Sequence, residues 1–158
     1  MTYTGSDDLT VALADGVLSV TLNRPDSLNS LSQGMLELLG DAVLQAATDP
    51  AVKVVRLGGA GRGFCSGAGL SSEDQDAKTF DEAAVLNAAN RAVAALVSLP
   101  KPAVAVVQGV AAGVGVSLAL GCDIVLASEK SSFLLAFTKI GLMPDGGASA
   151  LVAASIGR

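Results

Sequence analysis

From Pro102 to Cys122 the chain runs for 21 residues without a charged side chain. A stretch that long and that apolar must either cross a membrane or lie inside a folded protein. It contains GVAAG, a GxxxG spacing that marks close helix pairing when it falls in a bilayer helix. Against a membrane span stand its mostly small side chains, Gln108 within it, and the lack of flanking aromatic residues. The run also breaks into three pieces. AVAVVQG reads as a buried strand, GVAAG as a glycine turn, and GVGVSLALGC as a short buried helix. The expectation is therefore the interior of a globular α/β domain, with no membrane span.

The rest of the composition agrees. At 158 residues the chain is long enough for one domain with a substantial core. Apolar residues make up 51% and charged ones 16%, which excludes a disordered chain. Aromatic residues are only 3%, so the core must be assembled from Ala, Val, Leu and Gly, which brings backbones close together. With 10 basic against 15 acidic residues the net charge is −5, which argues against a nucleic-acid partner. The polar, acidic start MTYTGSDD lacks the character of a secretory signal, and Cys65 and Cys122 stand far apart. A reduced, cytoplasmic protein without a metal site is expected. The chain has no histidine, which removes Ser-His-Asp and Cys-His nucleophile systems and histidine-based zinc sites. Acid–base chemistry must then come from carboxylates, lysine, the tyrosine or water.

Hydrophobic periodicity orders the elements. LTVALADGVLSVTLNRP holds two strand-like runs around Asp15-Gly16, a strong hairpin signal, with Leu18, Val20 and Leu22 on one buried face and Pro25 as the stop. Ser32 to Thr48 is an amphipathic helix capped by Ser32. Val52 to Gly59 is a strand that ends in glycines, followed by the loop GAGRGFCSGAGL and a polar stretch from Ser71 to Thr79. Asp81 to Leu99 is a second long helix, ended by Pro100 and Pro102. After the charge-free run, DIVLAS returns as a strand, and Ala148 to Ile156 forms a last helix. Strands alternating with helices predict an α/β domain over residues 1–158.

Two glycine-rich turns, CSGAGL (Cys65 to Leu70) and the one that opens GVAAGVGVSLALGCD (Gly109 to Asp123), each follow a strand. Glycines let backbone approach a ligand, and a helix start presents unpaired N–H groups. Two such turns facing one cavity would make an oxyanion hole. The same glycines equally suit tight packing. Neither turn matches GxxxxGK[ST], GxGxxG or GxSxG. The other conspicuous feature is Asp145, in GLMPDGGAS. From Ser131 to Gly157 the only charges are Lys139 and Asp145, and the segment reads as core. An acid there either caps the following helix or does chemistry.

At this point the residues carry a resemblance. GRGFCSGAGL, KPAVAVVQGVAAGVGVSLALGCDIVLASEKSSF and AFTKIGLMPDGGAS, together with the opening VTLNRPDSLNSL, resemble the enoyl-CoA hydratase/isomerase (crotonase) superfamily, in order and over nearly the whole chain. The nearest branch is that of the Δ3,Δ2-enoyl-CoA isomerases and epoxyphenylacetyl-CoA isomerase. The resemblance implies the crotonase (ClpP-like) spiral of repeated ββα units as an acyl-CoA-binding core. It also implies a C-terminal helical trimerisation region that these 158 residues lack. Where that region is present, a homotrimer or dimer of trimers is implied.

By the same resemblance an acyl-CoA thioester is the substrate, no cofactor beyond that coenzyme A is needed, and the N–H groups of Ala68 and Val114 form the oxyanion hole. Arg24, Ser27, Leu28, Gly67, Leu70, Gly113 and Phe137 are the matching candidates for contact with substrate or CoA. Gly69 stands where the family's GAD motif has its acid, which leaves a backbone donor intact. The two glutamates of the hydratases are replaced by Ser117 and Phe137, so hydration by the usual pair is not expected. Isomerases of the superfamily carry an acid just after the Pro-containing turn, which assigns acid/base catalysis to Asp145. A hydratase with an atypical site and a non-catalytic acyl-CoA binder are the rival readings. Ser66 and Ser117 are expected to be satisfied small residues, Cys65 and Cys122 buried fillers, Lys139 solvated, and Phe133 part of the acyl pocket or core.

Overall fold

Asp15 and Gly16 both adopt left-handed backbone, φ 49° and 82°, and this two-residue turn sets the first pair of strands in register. β1 (Leu9–Ala14) runs antiparallel to β2 (Val17–Leu22), with Ala14 opposite Val17. Leu18, Val20 and Leu22 are fully buried on one face. The structure, a computed structural model, describes residues 2–69 and 81–157. Leu70 and the polar stretch from Ser71 to Thr79 lie outside the described residues.

α1 (Gln33–Thr48) follows, and the Ser32 hydroxyl accepts from the Met35 N–H as its cap. β3 (Val54–Gly59) lies parallel to β2, and β4 (Ala103–Val107) parallel to β3. Between them runs α2 (Glu82–Val97), whose Asp81 cap accepts from the N–H groups of Ala83 and Ala84. The apolar run then divides as its glycines require. β4 is followed by the short β5 (Val110–Ala112) and the buried α3 (Val114–Leu120). β6 (Ile124–Ala127) joins β4 in parallel, β7 (Ser132–Leu134) joins β5, and α4 (Ala148–Ile156) is the last helix. No helix among the described residues is long and apolar enough to cross a membrane.

The large sheet has the order β1-β2-β3-β4-β6, and β5-β7 form a second, smaller one. Isolated parallel bridges, Leu31 to Ala68 and Cys65 to Ala111, extend that second layer backward along the chain. Each main strand from β2 onward is thus followed by a short extended piece in the second layer and then by a helix. This is the expected spiral of ββα units. The pieces β5 and β7 are too short to read as strands from periodicity, and β5 lies between Gly109 and Gly113.

The core suits a chain poor in aromatics. α1 packs on β1 and β2 and against α2. Ala88, Ala89, Ala92 and Ala95 are buried on α2, and a Cβ on Gly40 of α1 would come 3.6 Å from the Ala92 Cα. Small side chains let the two helices approach closely.

One expectation fails. The segment from Ser131 to Gly157 does not read out as core: Phe133, Ile140, Leu142, Met143 and Ile156 are all exposed, Met143 at 86%. Phe133 accordingly joins neither the core nor the pocket described below.

Asn29 ties the loop after β2 to the loop after β3. It is fully buried in left-handed backbone, φ 59°. Its Nδ2 reaches the carbonyls of Ala60, Gly63 and Phe64 at 2.9, 2.8 and 3.2 Å, and its Oδ1 accepts from the Arg24 N–H at 2.8 Å. Asn29→Ala would leave buried carbonyls unpaired and keep an unfavourable φ. The expected loss is about 2–4 kcal/mol, read from urea unfolding.

Candidate active site

The two glycine-rich turns meet as backbone against backbone. The N–H groups of Phe64 and Cys65 both donate to the Val110 carbonyl at 3.0 Å, and the Ala112 N–H donates to the Cys65 carbonyl at 2.8 Å. Glycine is required at the contact. A Cβ on Gly115 would come within 2.8–2.9 Å of the Cys65 Cβ, carbonyl oxygen and Sγ. Gly67 has φ 101°, and a Cβ there would lie 3.1 Å from the Ala112 carbonyl.

Two backbone donors are left free beside this contact. Leu31 donates to the Gly67 carbonyl and accepts from the Gly69 N–H, both at 2.9 Å. In that parallel bridge the intervening Ala68 N–H must point to the opposite side. Val114 is the first residue of α3, so its N–H has no helical acceptor. Neither N–H has a partner among the described residues.

Both residues line one cavity of about 80 Å³, together with Ser66, Gly67, Gly113, Ala136, Phe137, Ile140, Leu142 and Asp145. Asp145 is its sole ionisable residue among those described. Its Oδ1 is buried without a hydrogen-bond partner. Burial pushes the carboxyl above the usual carboxylate range, opposed by its own backbone N–H. The capping alternative is settled by geometry: the cap of α4 is Gly147, and no side chain bonds there. Two larger surface grooves, of about 440 and 320 Å³, lie elsewhere and hold neither the free donors nor the unpaired acid.

The residues matched to the hydratase glutamates do other things. Ser117 is fully buried and its hydroxyl donates to the Asp145 carbonyl at 3.1 Å. A Cβ on Gly146 would come 2.8 Å from the Ser117 Cβ, so the two residues pack directly against each other. Phe137 is buried and forms one apolar wall of the cavity.

A protein-family model described as enoyl-CoA hydratase/isomerase matches residues 13–158. The chain belongs to the enoyl-CoA hydratase/isomerase family. It is 41% identical over 148 residues to the 1,2-epoxyphenylacetyl-CoA isomerase of Escherichia coli K12, covering 90% of this chain and 56% of that protein. It is 36% identical over 152 residues to the 2,3-dehydroadipyl-CoA hydratase of the same strain, covering 96% and 58%. Among solved structures, an enoyl-CoA hydratase from Mycobacterium avium subsp. paratuberculosis K-10 superposes with a TM-score of 0.90 at 61% identity, covering 98% of this chain and 61% of that one. The fold is therefore the crotonase fold, and the chain spans a little over half the length of the curated relatives it matches.

Within this family member, Ala68, Val114, Asp145, Gly67, Gly113 and Phe137 come together at the cavity. Arg24, Ser27 and Leu28 do not line it. They sit on the adjoining loop: the Ser66 hydroxyl donates to the Ser27 carbonyl and the Ser66 N–H to the Leu28 carbonyl, both at 2.9 Å. Arg24 donates to the Ser30 carbonyl and lies 3.9 Å from Asp8. Leu70 lies outside the described residues. Cys65 and Cys122 are buried, free thiols, each pushed up to about 12 by burial. Lys139 is exposed. Sequence reasoning missed Ile140 and Leu142 as cavity walls and Asn90 as a partner of Gly146. For Ile140 and Leu142 the available signal was their place beside Asp145 in the chain.

Two outcomes are expected. Gly115→Ala forces the turns apart and should destabilise the protein by about 1–3 kcal/mol in chemical denaturation. Asp145→Asn removes an acid whose folded pKa lies above its unfolded one. That acid's stabilising contribution is present below the ordinary carboxylate range and lost as pH rises through the raised pKa. The variant should therefore gain melting temperature over the native chain at about pH 7, with the gain shrinking toward about pH 3.5.

Proposed function

We propose that this chain is the acyl-CoA-binding core of an enoyl-CoA isomerase, in which one aspartate moves a proton along the acyl chain. The observation that carries the reading is the unpaired, buried Asp145 Oδ1 in the same cavity as the Ala68 and Val114 residues, whose N–H groups are free. A 3-enoyl thioester bound with its carbonyl oxygen at those N–H groups would present its α carbon to Asp145. Asp145 takes the α proton as its electrons move into the carbonyl, and the dienolate oxygen is held by the two N–H groups. The protonated acid returns the same proton at the γ carbon, which gives the 2-enoyl thioester and regenerates the carboxylate. Coenzyme A arrives as part of the substrate, and the reaction consumes no further group. The raised carboxyl suits a base that must also act as an acid.

Ser117 and Phe137 support this reading over hydration, because no second carboxylate among the described residues lines the cavity to activate water. The relative named 1,2-epoxyphenylacetyl-CoA isomerase points the same way. Hydration through an atypical site is the second reading, favoured by the 61% identical structure that is named a hydratase. A cytoplasmic location is part of the proposal, since two free, buried cysteines suit a reducing compartment. For assembly, the resemblance implies a trimer or dimer of trimers where the helical region is present.

The test is a spectroscopic assay with a 3-enoyl-CoA and, separately, a 2-enoyl-CoA in water. Conversion of the 3-enoyl thioester is expected, rising with pH through the raised pKa of Asp145 and level above it, because the base must be ionised. Asp145→Asn should lower turnover by about 10²–10⁴ while acyl-CoA affinity is retained. Hydration of the 2-enoyl thioester without isomerisation would overturn the assignment of roles. Binding of acyl-CoA with neither reaction would favour the non-catalytic binder.

A further inference from the structure

The peptide that joins Asp145 to Gly146 is gripped at both ends by side chains from two different helices. Its carbonyl accepts from the Ser117 hydroxyl of α3 at 3.1 Å, and its N–H donates to the Asn90 Oδ1 of α2 at 3.0 Å. The Ala148 N–H adds a third bond, to the same carbonyl, at 3.0 Å. Gly146 has φ 56°, and any Cβ there would come 2.8 Å from the Ser117 Cβ and 3.3 Å from Val93 Cγ2. The plane can lie against α2 and α3 only because residue 146 is glycine. On the other side of Asp145 stands Pro144, whose ring restricts its own φ.

These constraints act on the acid from behind. The Asp145 Oδ1 is buried without a hydrogen-bond partner, and the side chains that reach this residue from α2 and α3 bind its following peptide. Fixing the peptide plane after Asp145 fixes where its Cα sits, and so sets the point from which the side chain reaches the cavity. Neither Ser117 nor Asn90 lines the cavity. We infer that Ser117 and Asn90 are positioning residues that aim the Asp145 carboxylate at the cavity shared with Ala68 and Val114. The inference rests on the reading of Asp145 as the acid/base. It gives the serine at the hydratase glutamate position a task of its own: it holds the acid that replaces the pair.

The test compares the native chain with Asn90→Ala, Asn90→Asp and Ser117→Ala, by steady-state kinetics on a 3-enoyl-CoA and by amide hydrogen exchange. Asn90 is exposed, so its truncation spares the core. Asn90→Ala and Ser117→Ala are expected to lower kcat about ten-fold with KM within about two-fold, as misaimed but intact sites do. Asn90→Asp keeps an acceptor oxygen and should restore kcat to within about three-fold of native. The Gly146 amide should lose protection in Asn90→Ala and keep it in Asn90→Asp. Unchanged kcat in both alanine variants, a loss confined to KM, or equal impairment by Asn90→Ala and Asn90→Asp would each overturn the inference. If the native chain shows no turnover that depends on Asp145, the functional reading fails, and exchange alone judges the grip. Lost protection at Gly146 in Asn90→Ala would then support it, and unchanged protection would overturn it.

Discussion

Residues 64–67 and 110–113 lie side by side as backbone, and Gly115 brings the start of α3 against Cys65 at a distance that no Cβ allows. The rest of the site depends on this approach. It sets Ala68 at the Leu31 bridge and Val114 at the open start of a helix, and both residues line one cavity. The approach has its own support in Asn29, which binds the carbonyls that lead into the first turn. Gly59 fits between those carbonyls for the same reason: a Cβ there would lie 2.4 Å from the Phe64 carbonyl oxygen. A core of Ala, Val, Leu and Gly suits such spacing, and the low share of aromatic residues is its compositional trace.

Against this rigid backbone stands one acidic residue whose peptide is held from α2 and α3. Asp145 is half-buried, its carboxyl is raised by loss of water, and one oxygen has no partner. A protein that tolerates such an arrangement forgoes stability at the place where a reacting proton would be handled. The helix that follows is capped by Gly147 instead, so the acid is released from the structural duty its sequence position suggests.

Much of this was legible in the sequence, for physical reasons. Asp15-Gly16 has few conformations other than a tight hairpin turn, and the Leu18, Val20, Leu22 alternation leaves one choice of buried face. The α1 and α2 periodicities are long and capped by Ser32 and Asp81, and both helices formed with bounds close to those expected. β5 and β7 were not legible, because three-residue pieces carry no period. The apolar run around Asp145 misled for a different reason. Hydrophobicity reports that a surface is to be covered, not that the same chain covers it. At the site, Asp145 stood out as an acid in an apolar run, while its assigned role and the choice of Ala68 and Val114 followed from the family resemblance, and all three residues line one cavity. Arg24, Ser27 and Leu28 occupy the neighbouring loop and not the cavity wall. Asn90 left no signal at all, since its role appears only when α2 and the turn before α4 are set beside each other.

The donors of the proposed hole belong to the main chain, and this separates two properties that enzymes usually carry in the same atoms. The side chains at Ala68 and Val114 can drift in evolution, or be redesigned, without erasing the N–H groups on which they hang. Reactivity would be inherited with the fold, while selectivity could be rewritten at Ala136, Phe137, Ile140 and Leu142 around it. A family built this way can diversify its substrates faster than its mechanism, and identity at these positions is a poor guide to which members share a chemistry.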